Sequence, residues 1–400
     1  MRTAAPGPDG IQPDRLDFER LAAIAGGTPF FVYDWASIER RIARLRDALP
    51  AGLGLRYAVK ANPMPALVQH LATRVDGFDV ASADEMRVAA NASRAPADIA
   101  FAGPGKTDAE LTAAVAAGVL VEAESPGEVD RLARAAVALG VPARLSLRLN
   151  TAGSATGAGM RMSGVTQFGM AAADAVAVLS HLDRAHLSFE GLHSYFGSQI
   201  LDAAVLRRGF LETAEVFLAL VAETGMVPAA VNLGGGFGIP YALGETPLDL
   251  AAAGTGVAEA VDRLHERLPE TAVGIELGRY LVGEAGLYVA RVVDRKTVGG
   301  ETFVVVDGGL HHVLAATGNF GQRIRRNWPV GVSSTAGPRA AETQTIVGCN
   351  CTPLDCLARQ ADLPGCEPGD LVYIHQVGAY GASASPERFL SHPAARELVL

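Results

Sequence analysis

The 400-residue sequence lacks several features that would assign it to a specialised class of protein. No apolar run approaches the roughly 18 to 20 residues that a membrane-spanning helix needs, and the first residues contain no apolar segment typical of an export signal. Acidic residues outnumber Lys and Arg, and the net charge of −9 argues against nucleic acid or anionic membranes as partners. We therefore expect a cytoplasmic protein that binds neither.

Cysteine is scarce, and all four cysteines fall in one C-terminal stretch, at positions 349, 351, 356 and 366. Their C-x-C-x4-C spacing could suggest zinc, but it lacks the paired C-x2-C motif, and no histidine lies near them in the sequence. Disulfides are not expected in a chain without an export signal. The sequence thus predicts no metal site.

The length and the composition indicate a compact enzyme with one large and one smaller domain. Four hundred residues exceed what a single hydrophobic core usually supports. Eight short apolar segments alternate with Ala-rich stretches of helical period, which predicts a closed parallel (β/α)8 barrel over residues 36–285, with a doubly wound open sheet as the alternative. The predicted strands are Leu55–Val59, Gly77–Val80, Asp98–Ala102, Val119–Ala123, Ala143–Leu149, Leu187–Leu192, Ala230–Gly234 and Val273–Leu277.

The pattern changes near residue 286. From there β-branched segments are separated by turn residues, which predicts an antiparallel β domain over residues 286–400. The early segment PFFVY precedes the barrel, and we expect residues 14–35 to join this β domain, with PFFVY as an extra strand.

Polar residues follow several predicted barrel strands, at the end where such barrels carry their active sites. Lys60 follows the first strand in YAVKANP, where partial desolvation would favour a nucleophilic amine able to form an imine; a solvated surface lysine is the alternative. Asp79 follows the second strand. His193, Tyr195 and Ser198 follow the sixth strand in GLHSYFGSQ.

The last two strands complete the pattern. The seventh ends in NLGGGFG, where Gly234, Gly235 and Gly236 leave backbone N–H groups free to approach a phosphate, unless they form only a tight turn. Glu276 and Arg279 close the eighth strand in GIELGRYL, and a carboxylate beside a lysine and a phosphate loop suits a protonated pyridine nitrogen better than a surface ion pair. Together these motifs predict pyridoxal 5'-phosphate (PLP) as the cofactor.

These motifs resemble the fold-type III PLP decarboxylases, which include diaminopimelate, ornithine and arginine decarboxylases. The resemblance runs from PFFVYD to GAYG and implies a PLP barrel, a β domain and a head-to-tail homodimer with two shared active sites. It implies Lys60 as the Schiff-base lysine, Asp79 near the cofactor and Glu276 at the pyridine nitrogen. The implied phosphate ligands are Ser198, Gly234, Gly235, Gly236, Gly278, Arg279 and Tyr380.

The family's C-x-x-x-D motif falls on Cys351 and Asp355, which implies that Cys351 is donated across the dimer interface to protonate Cα. Two residues depart from the family. Tyr195 stands where a histidine usually stacks on the PLP ring, and Thr352 replaces the Glu or Asp that reads a distal amino group. The stretch after Asp307 also lacks the arginine that holds the distal carboxylate of diaminopimelate, so diaminopimelate, ornithine and lysine become poor candidates.

The segments HSYFGSQ, DGGLHHVLAATGNFGQ and CTPLD resemble a distinct branch, which decarboxylates a glutamyl group tethered to an acyl carrier protein in antibiotic pathways, and the related exosortase-associated decarboxylases. The resemblance implies a biosynthetic amino-acid α-decarboxylase whose substrate ends in a pantetheine arm. The expected substrate contacts are His193, Asn319, Gln322, Thr352 and Asp355. Arg323, Arg325 and Arg326 would face the carrier protein, unless they form a solvated basic loop.

Four alternatives stay open. The first is a decarboxylase of a free amino acid of the diaminopimelate, ornithine, lysine or arginine type. An amino-acid racemase would place arginine on the ring nitrogen, so Glu276 argues against it. A small PLP-carrier protein would consist of the barrel alone. A non-catalytic regulator with the same fold would tend to lose Lys60 or Cys351, and both are present.

Overall fold

The computed structural model describes residues 9–92, 95–151, 160–161, 164, 166–320, 325–337 and 339–400. The chain divides into two compact units. Ile42–Gly238 and Leu248–Gly278 form the barrel unit, while the described residues up to Arg41, together with Ile239–Pro247 and Arg279–Leu400, form the β unit. The predicted boundaries at 36 and 285 thus differ from the observed division, because short segments at both ends of the barrel sequence, and one within it, group with the β unit.

The strands are short and occur along the whole chain. In chain order they are β1 (Phe30–Tyr33), β2 (Gly54–Ala58), β3 (Gly77–Val80), β4 (Ile99–Phe101), β5 (Leu120–Ala123), β6 (Ala143–Leu149), β7 (Met160–Arg161), β8 (Leu187–Ser194), β9 (Gly197–Ser198), β10 (Ala230–Gly235), β11 (Ala272–Leu277), β12 (Gly286–Val298), β13 (Glu301–Val306), β14 (Val330–Ser333), β15 (Ala341–Val347), β16 (Cys356–Pro364), β17 (Leu371–His375) and β18 (Arg396–Val399).

The longer helices lie mainly between the barrel strands. They are α1 (Phe18–Ala25), α2 (Trp35–Ala48), α3 (Pro65–Leu71), α4 (Ala83–Ala92), α5 (Asp108–Ala117), α6 (Pro126–Leu139), α7 (Ala172–Ser180), α8 (Ala203–Thr224) and α9 (Leu250–His265), with single turns at α10 (Arg279–Val282) and α11 (Leu310–Val313). Within the described ranges, none of these helices combines the length and the apolarity that crossing a membrane requires.

The barrel closes in the strand order β10-β11-β2-β3-β4-β5-β6-β8. Its neighbouring strands are parallel, which confirms the predicted (β/α)8 barrel and excludes the open sheet. Local signals set the helix ends. Thr107 begins α5 with a capping box, Ser125 caps α6, and Gly118 and Gly140 end these two helices in the left-handed conformation.

Strand β6 shows how the barrel separates its two faces. Leu145, Leu147 and Leu149 are buried, and so are the intervening Ser146 and Arg148. Because side chains alternate along a strand, the leucines pack towards the helices while Ser146 and Arg148 point into the barrel. The interior therefore carries polar and charged groups.

The β unit contains an eight-stranded sheet in which β14-β17-β12-β13-β15-β16 are consecutive neighbours. Strand β1 pairs with β12, as the PFFVY segment predicted, and also with β18. The domain is not purely antiparallel, because β1–β18 and β13–β15 are parallel pairs. Long connections separate the strands of both parallel pairs, as parallel pairing requires.

We expect the helix-facing side of β6 to dominate barrel stability. Leu145→Ala removes a side chain with 0% exposure, which should cost about 2–5 kcal/mol of unfolding free energy. Val227→Ala, at a side chain with 62% exposure in the same unit, should cost less than about 0.5 kcal/mol. Urea denaturation followed by circular dichroism measures both, and equal losses would contradict the packing of Leu145 in this layer.

Candidate active site

Four predicted site residues lie at the C-terminal end of the barrel strands. Lys60 lies in the turn Val59–Ala61 directly after β2, Asp79 in β3, His193 in β8 and Glu276 in β11. Asp79, His193 and Glu276 are buried, and Lys60 is partly exposed. Parallel barrel strands end on the same side, so the fold brings these groups to one end of the barrel.

Lys60 is the lysine at the barrel mouth. The chain contains three lysines, at positions 60, 106 and 296. Lys106 is buried and forms an ion pair with Glu128 at 2.7 Å, while Lys296 is exposed on β12. Lys60 Nζ lies 5.3 Å from the centroid of the Tyr195 ring, so the structure brings together the predicted amine and the aromatic residue that replaces the family's histidine.

Three ionisable side chains, from Glu122, His193 and Glu276, are in contact inside the barrel. His193 Nδ1 lies 2.6 Å from Glu122 Oε2, and His193 Nε2 lies 3.3 Å from Glu276 Oε2. Burial of His193 opposes its charge, but the negative charges of Glu122 and Glu276 raise the pKa of His193 to about 9. Burial would likewise raise the pKa of Glu276, yet His193, Lys60 and Arg148 hold it well below its usual range.

The pKa of Asp79 is shifted in the opposite direction. Its two carboxylate oxygens are buried and make no hydrogen bond to the described residues. Burial, reinforced by the charges of Glu276 and Glu122, raises the pKa of Asp79 well above its ordinary value. The surroundings therefore favour the ionised form of Glu276 and the protonated form of Asp79, and they differ because only Glu276 contacts His193 directly.

Asn232 links Glu276 to the glycine loop. Its Nδ2 donates to Glu276 Oε2 at 3.2 Å, and its Oδ1 accepts from the N–H of Gly234 at 3.0 Å. No sequence motif indicated Asn232 or Glu122. Both lie on barrel strands in polar positions between apolar neighbours, which is the signal that could have identified them.

The glycine loop has a backbone that residues with a side chain rarely adopt. Gly234 and Gly236 have φ angles of +75° and +91°. A Cβ at Gly236 would lie 2.5 Å from the carbonyl oxygen of Gly197, beside Ser198, and Gly236 O accepts from Ile200 N at 2.9 Å. The structure thus places the Ser198 segment and the glycine loop together, as the motifs predicted.

Gly278 is close-packed for a similar reason. A Cβ there would lie 2.8 Å from the Cβ of Ala61, in the turn that carries Lys60. The next residue, Arg279, begins the part of the chain that belongs to the β unit.

Within the β unit, Arg279 is held by two tyrosines. Its Nη1 donates to the hydroxyl of Tyr241 at 2.7 Å, and its guanidinium lies 4.6 Å from the centroid of the Tyr380 ring. Tyr241 in turn packs on Trp328, with ring centroids 4.3 Å apart. The structure therefore brings Arg279 and Tyr380 together as predicted, and it adds Tyr241, which no motif indicated.

Asp355 organises the turn that carries Cys351. Its buried carboxylate accepts from the backbone N–H groups of Leu310 at 2.7 Å and Asn350 at 2.9 Å, and from Asn350 Nδ2 at 2.6 Å. These bonds commit Asp355 to the turn, although the sequence predicted a substrate contact. Cys351 is exposed.

The predicted substrate loop lies against the same turn. Asn319 Nδ2 donates to the carbonyl oxygen of Leu354 at 3.4 Å, and Thr352 is partly exposed between Cys351 and Leu354. Gln322 and Arg323 lie outside the described residues. Arg325 donates to the carbonyl oxygen of Cys356, and Arg326 pairs with Glu245 at 3.4 Å, so both arginines have partners within the β unit.

The fold also brings histidines to the cysteine cluster, although none is near it in the sequence. Ligand atoms of His311, Cys349 and His392 lie within 4.8 Å of one another. His311 Nδ1 lies 2.7 Å from Asn350 Nδ2, whose amide also donates to Asp355. Burial, together with the neighbouring His312 and His392, lowers the pKa of His311 to about 4, so this ring is neutral and forms part of the packing of the turn.

The barrel residues fit PLP. Lys60 offers an amine, Glu276 an anionic partner for a protonated pyridine nitrogen, and the glycine loop a backbone without side chains next to Ser198. Asp79 adds a buried carboxyl group with no hydrogen bond to the described residues. These features define a barrel enzyme that uses PLP.

Comparison with known proteins gives the same class. Residues 35–283 match the family model described as the pyridoxal-binding domain of pyridoxal-dependent decarboxylases. The L-glutamyl-[BtrI acyl-carrier protein] decarboxylase of Niallia circulans is 36% identical over 379 residues, which are 93% of this chain and 88% of that protein. A diaminopimelate decarboxylase of Neisseria meningitidis is 32% identical over 395 residues, covering 96% and 93%.

Solved structures agree with these relatives. A crystal structure of SrLDC with PLP and cadaverine is 28% identical and superposes with a TM-score of 0.80, covering 96% of this chain and 94% of that one. The chain therefore belongs to the family of pyridoxal-dependent decarboxylases, and it is a PLP-dependent carboxy-lyase.

The glycine loop provides a test of the cofactor cradle. Gly236→Ala adds a Cβ that collides with the Gly197 carbonyl, so we expect the Kd for PLP to rise by at least about tenfold, equivalent to about 1.4 kcal/mol. Gly225→Ala is the matched control, because Gly225 also has a positive φ of +68° but no atom within 4 Å of its added Cβ. Absorbance titration of the apo-proteins measures both, and similar Kd values would contradict the cradle.

Proposed function

We propose that this decarboxylase acts on an amino-acyl group tethered to an acyl carrier protein, with a glutamyl thioester as the first candidate. The observation that carries the proposal is the neutral turn at the predicted substrate side. Between Cys349 and Asp355 the one charged side chain is Asp355, and its carboxylate is buried and bonded to Asn350 and to the Leu310 N–H. A free diamino acid would meet no charge there to pair with its distal amino group.

The similarity to the Niallia circulans enzyme supports this substrate class, since that protein is named for an L-glutamyl group on an acyl carrier protein. A thioester-linked substrate has an uncharged distal end, which suits Thr352 at the position after Cys351. The half-exposed Arg326 side chain pairs with Glu245, so it would bind an acidic carrier surface only after this ion pair is broken. We also propose a cytoplasmic location for this activity.

The chemistry follows from the barrel residues. PLP supplies an electron-accepting ring when the bond between Cα and the carboxylate breaks. Lys60 would hold the cofactor through its amine. Glu276, held ionised by His193, keeps a proton on the pyridine nitrogen. The glycine loop and Ser198 bind the phosphate, and we assign Arg279, Gly278 and Tyr380 to the same group. Tyr195, beside Lys60, is assigned to stack on the ring.

Cys351 is proposed to return a proton to Cα in the active site of a partner subunit, in a homodimer with two shared sites. Two features support a partner at this face of the β unit. Cys351 and its neighbour Leu354 are exposed. A cavity of about 630 Å³ beside the same turn is lined by apolar Phe303, Val305 and Val347 together with charged Lys296, Glu301 and Arg359.

A decarboxylase of a free amino acid is the second candidate, and the 32% identity with a diaminopimelate decarboxylase favours it. Carbon dioxide release separates the two candidates. We expect release from L-glutamyl carrier protein at least about a hundredfold faster than from free amino acids, because the remote pantetheine contacts contribute binding energy.

The panel contains free L- and D-glutamate, diaminopimelate, ornithine, lysine and arginine, each with PLP-loaded enzyme, and carrier protein without the glutamyl group as the blank. Brisk release from a free amino acid would contradict the tethered substrate and keep the decarboxylase. Racemisation without carbon dioxide release would contradict the proposed reaction.

Cys351 gives a second prediction. Cys351→Ala should lower kcat by about a hundredfold, within the range typical of general acids, and leave the Kd for PLP unchanged, because the thiol acts after cofactor binding. Cys366→Ala is the matched control, since Cys366 is a buried thiol of the same unit outside the turn. Steady-state decarboxylation and PLP titration measure both quantities. Equal turnover in the two variants would remove Cys351 from the mechanism.

A further inference from the structure

We propose that Glu122 and His193 are positioning residues that fix the negative charge of Glu276 from inside the barrel. The inference rests on the proposed role of Glu276 at the pyridine nitrogen. It assigns His193 to the cofactor side of the chemistry, whereas the sequence had assigned it to substrate binding.

Both nitrogens of the imidazole lie within ion-pair distance of a carboxylate. Glu122 comes from β5, His193 from β8 and Glu276 from β11, and all three side chains are at least nine-tenths buried. Each ring nitrogen faces one carboxylate, at 2.6 Å and 3.3 Å. An imidazolium can donate to both carboxylates at once, whereas a neutral ring can donate to only one.

The surrounding charges make this cation necessary. Lys60 and Arg148 also favour the ionised form of Glu276, while the negative charges of Glu276 and Glu122 raise the pKa of Asp79. Arg56 acts on Asp79 from the β2 side, and Arg148 is itself paired with Glu124 at 2.8 Å. Without the charge of His193, buried carboxyl groups would share one small volume, and such groups retain protons rather than ionise together.

Glu122 also lines a second cavity. A cavity of about 140 Å³ at the N-terminal ends of the barrel strands is lined by Glu122, Arg56, Ser146 and Asn232 among others. Most of its lining is apolar, with these polar side chains among it. Glu122 therefore borders both this cavity and His193.

Histidine NMR of the apo-protein tests the charge without using activity. With ¹⁵N-labelled histidine, and with His193→Gln to assign the signal, we expect the His193 ring to titrate at about pH 9. Glu122→Gln should lower this midpoint by about one to three units, while Glu122→Asp, which keeps the charge, should lower it less. A midpoint near 6.5 in the wild-type protein, or no shift in Glu122→Gln, would overturn the proposal.

The holoenzyme supplies the second measurement. His193→Gln should lower kcat at least tenfold and weaken PLP binding, while Lys60 remains reducible onto the cofactor by borohydride. His186→Gln is the matched control, because His186 pairs with Asp183 at 2.8 Å on the exposed surface. If His193→Gln matches this control in kcat and in the Kd for PLP, the positioning role is wrong. If the wild-type enzyme releases no carbon dioxide from any substrate, the proposed function fails instead, and the NMR midpoint still decides the charge.

Discussion

A buried negative charge at Glu276 is the constraint on which the rest of the site depends. Moving a carboxylate out of water is costly unless a cation and hydrogen bonds compensate it. This barrel compensates Glu276 with His193 on one side and the amide of Asn232, and it compensates His193 in turn with Glu122. The polar interior of the barrel is therefore an extension of the active site behind the cofactor.

The same contacts link the charge of Glu276 to the conformation of the glycine loop. Asn232 bonds to Glu276 through its nitrogen and to the Gly234 N–H through its oxygen, so one side chain contacts both the proposed pyridine partner and the proposed phosphate cradle. The close approach of the glycine loop to the Ser198 segment leaves no room for a Cβ at Gly236. The charge proposed for the pyridine nitrogen and the backbone proposed for the phosphate thus lie at the ends of the neighbouring strands β11 and β10.

Most of the fold could be predicted from the sequence, because each barrel strand is a short apolar run followed by polar residues. Lys60, Asp79 and Glu276 lie at or near the ends of those runs, and Lys60 directly follows the first run. Glu122 and Asn232 were missed because their importance depends on which residue lies opposite across the barrel, which no local motif encodes. The hydrogen bonds of Asp355 were missed for a similar reason, since tertiary structure brings Leu310 and Asn350 to its carboxylate. The parallel pairs of the β unit also depend on long connections rather than on local pattern.

The most direct test of the central claim is to locate the cofactor on the chain. Borohydride reduction of the PLP-loaded protein, followed by peptide mass spectrometry, reports which lysine carries the pyridoxyl group. The chain has three lysines, and the account predicts modification at Lys60 with Lys106 and Lys296 unmodified. Modification of Lys106 or Lys296 in place of Lys60 would contradict the assignment of the barrel mouth as the active site.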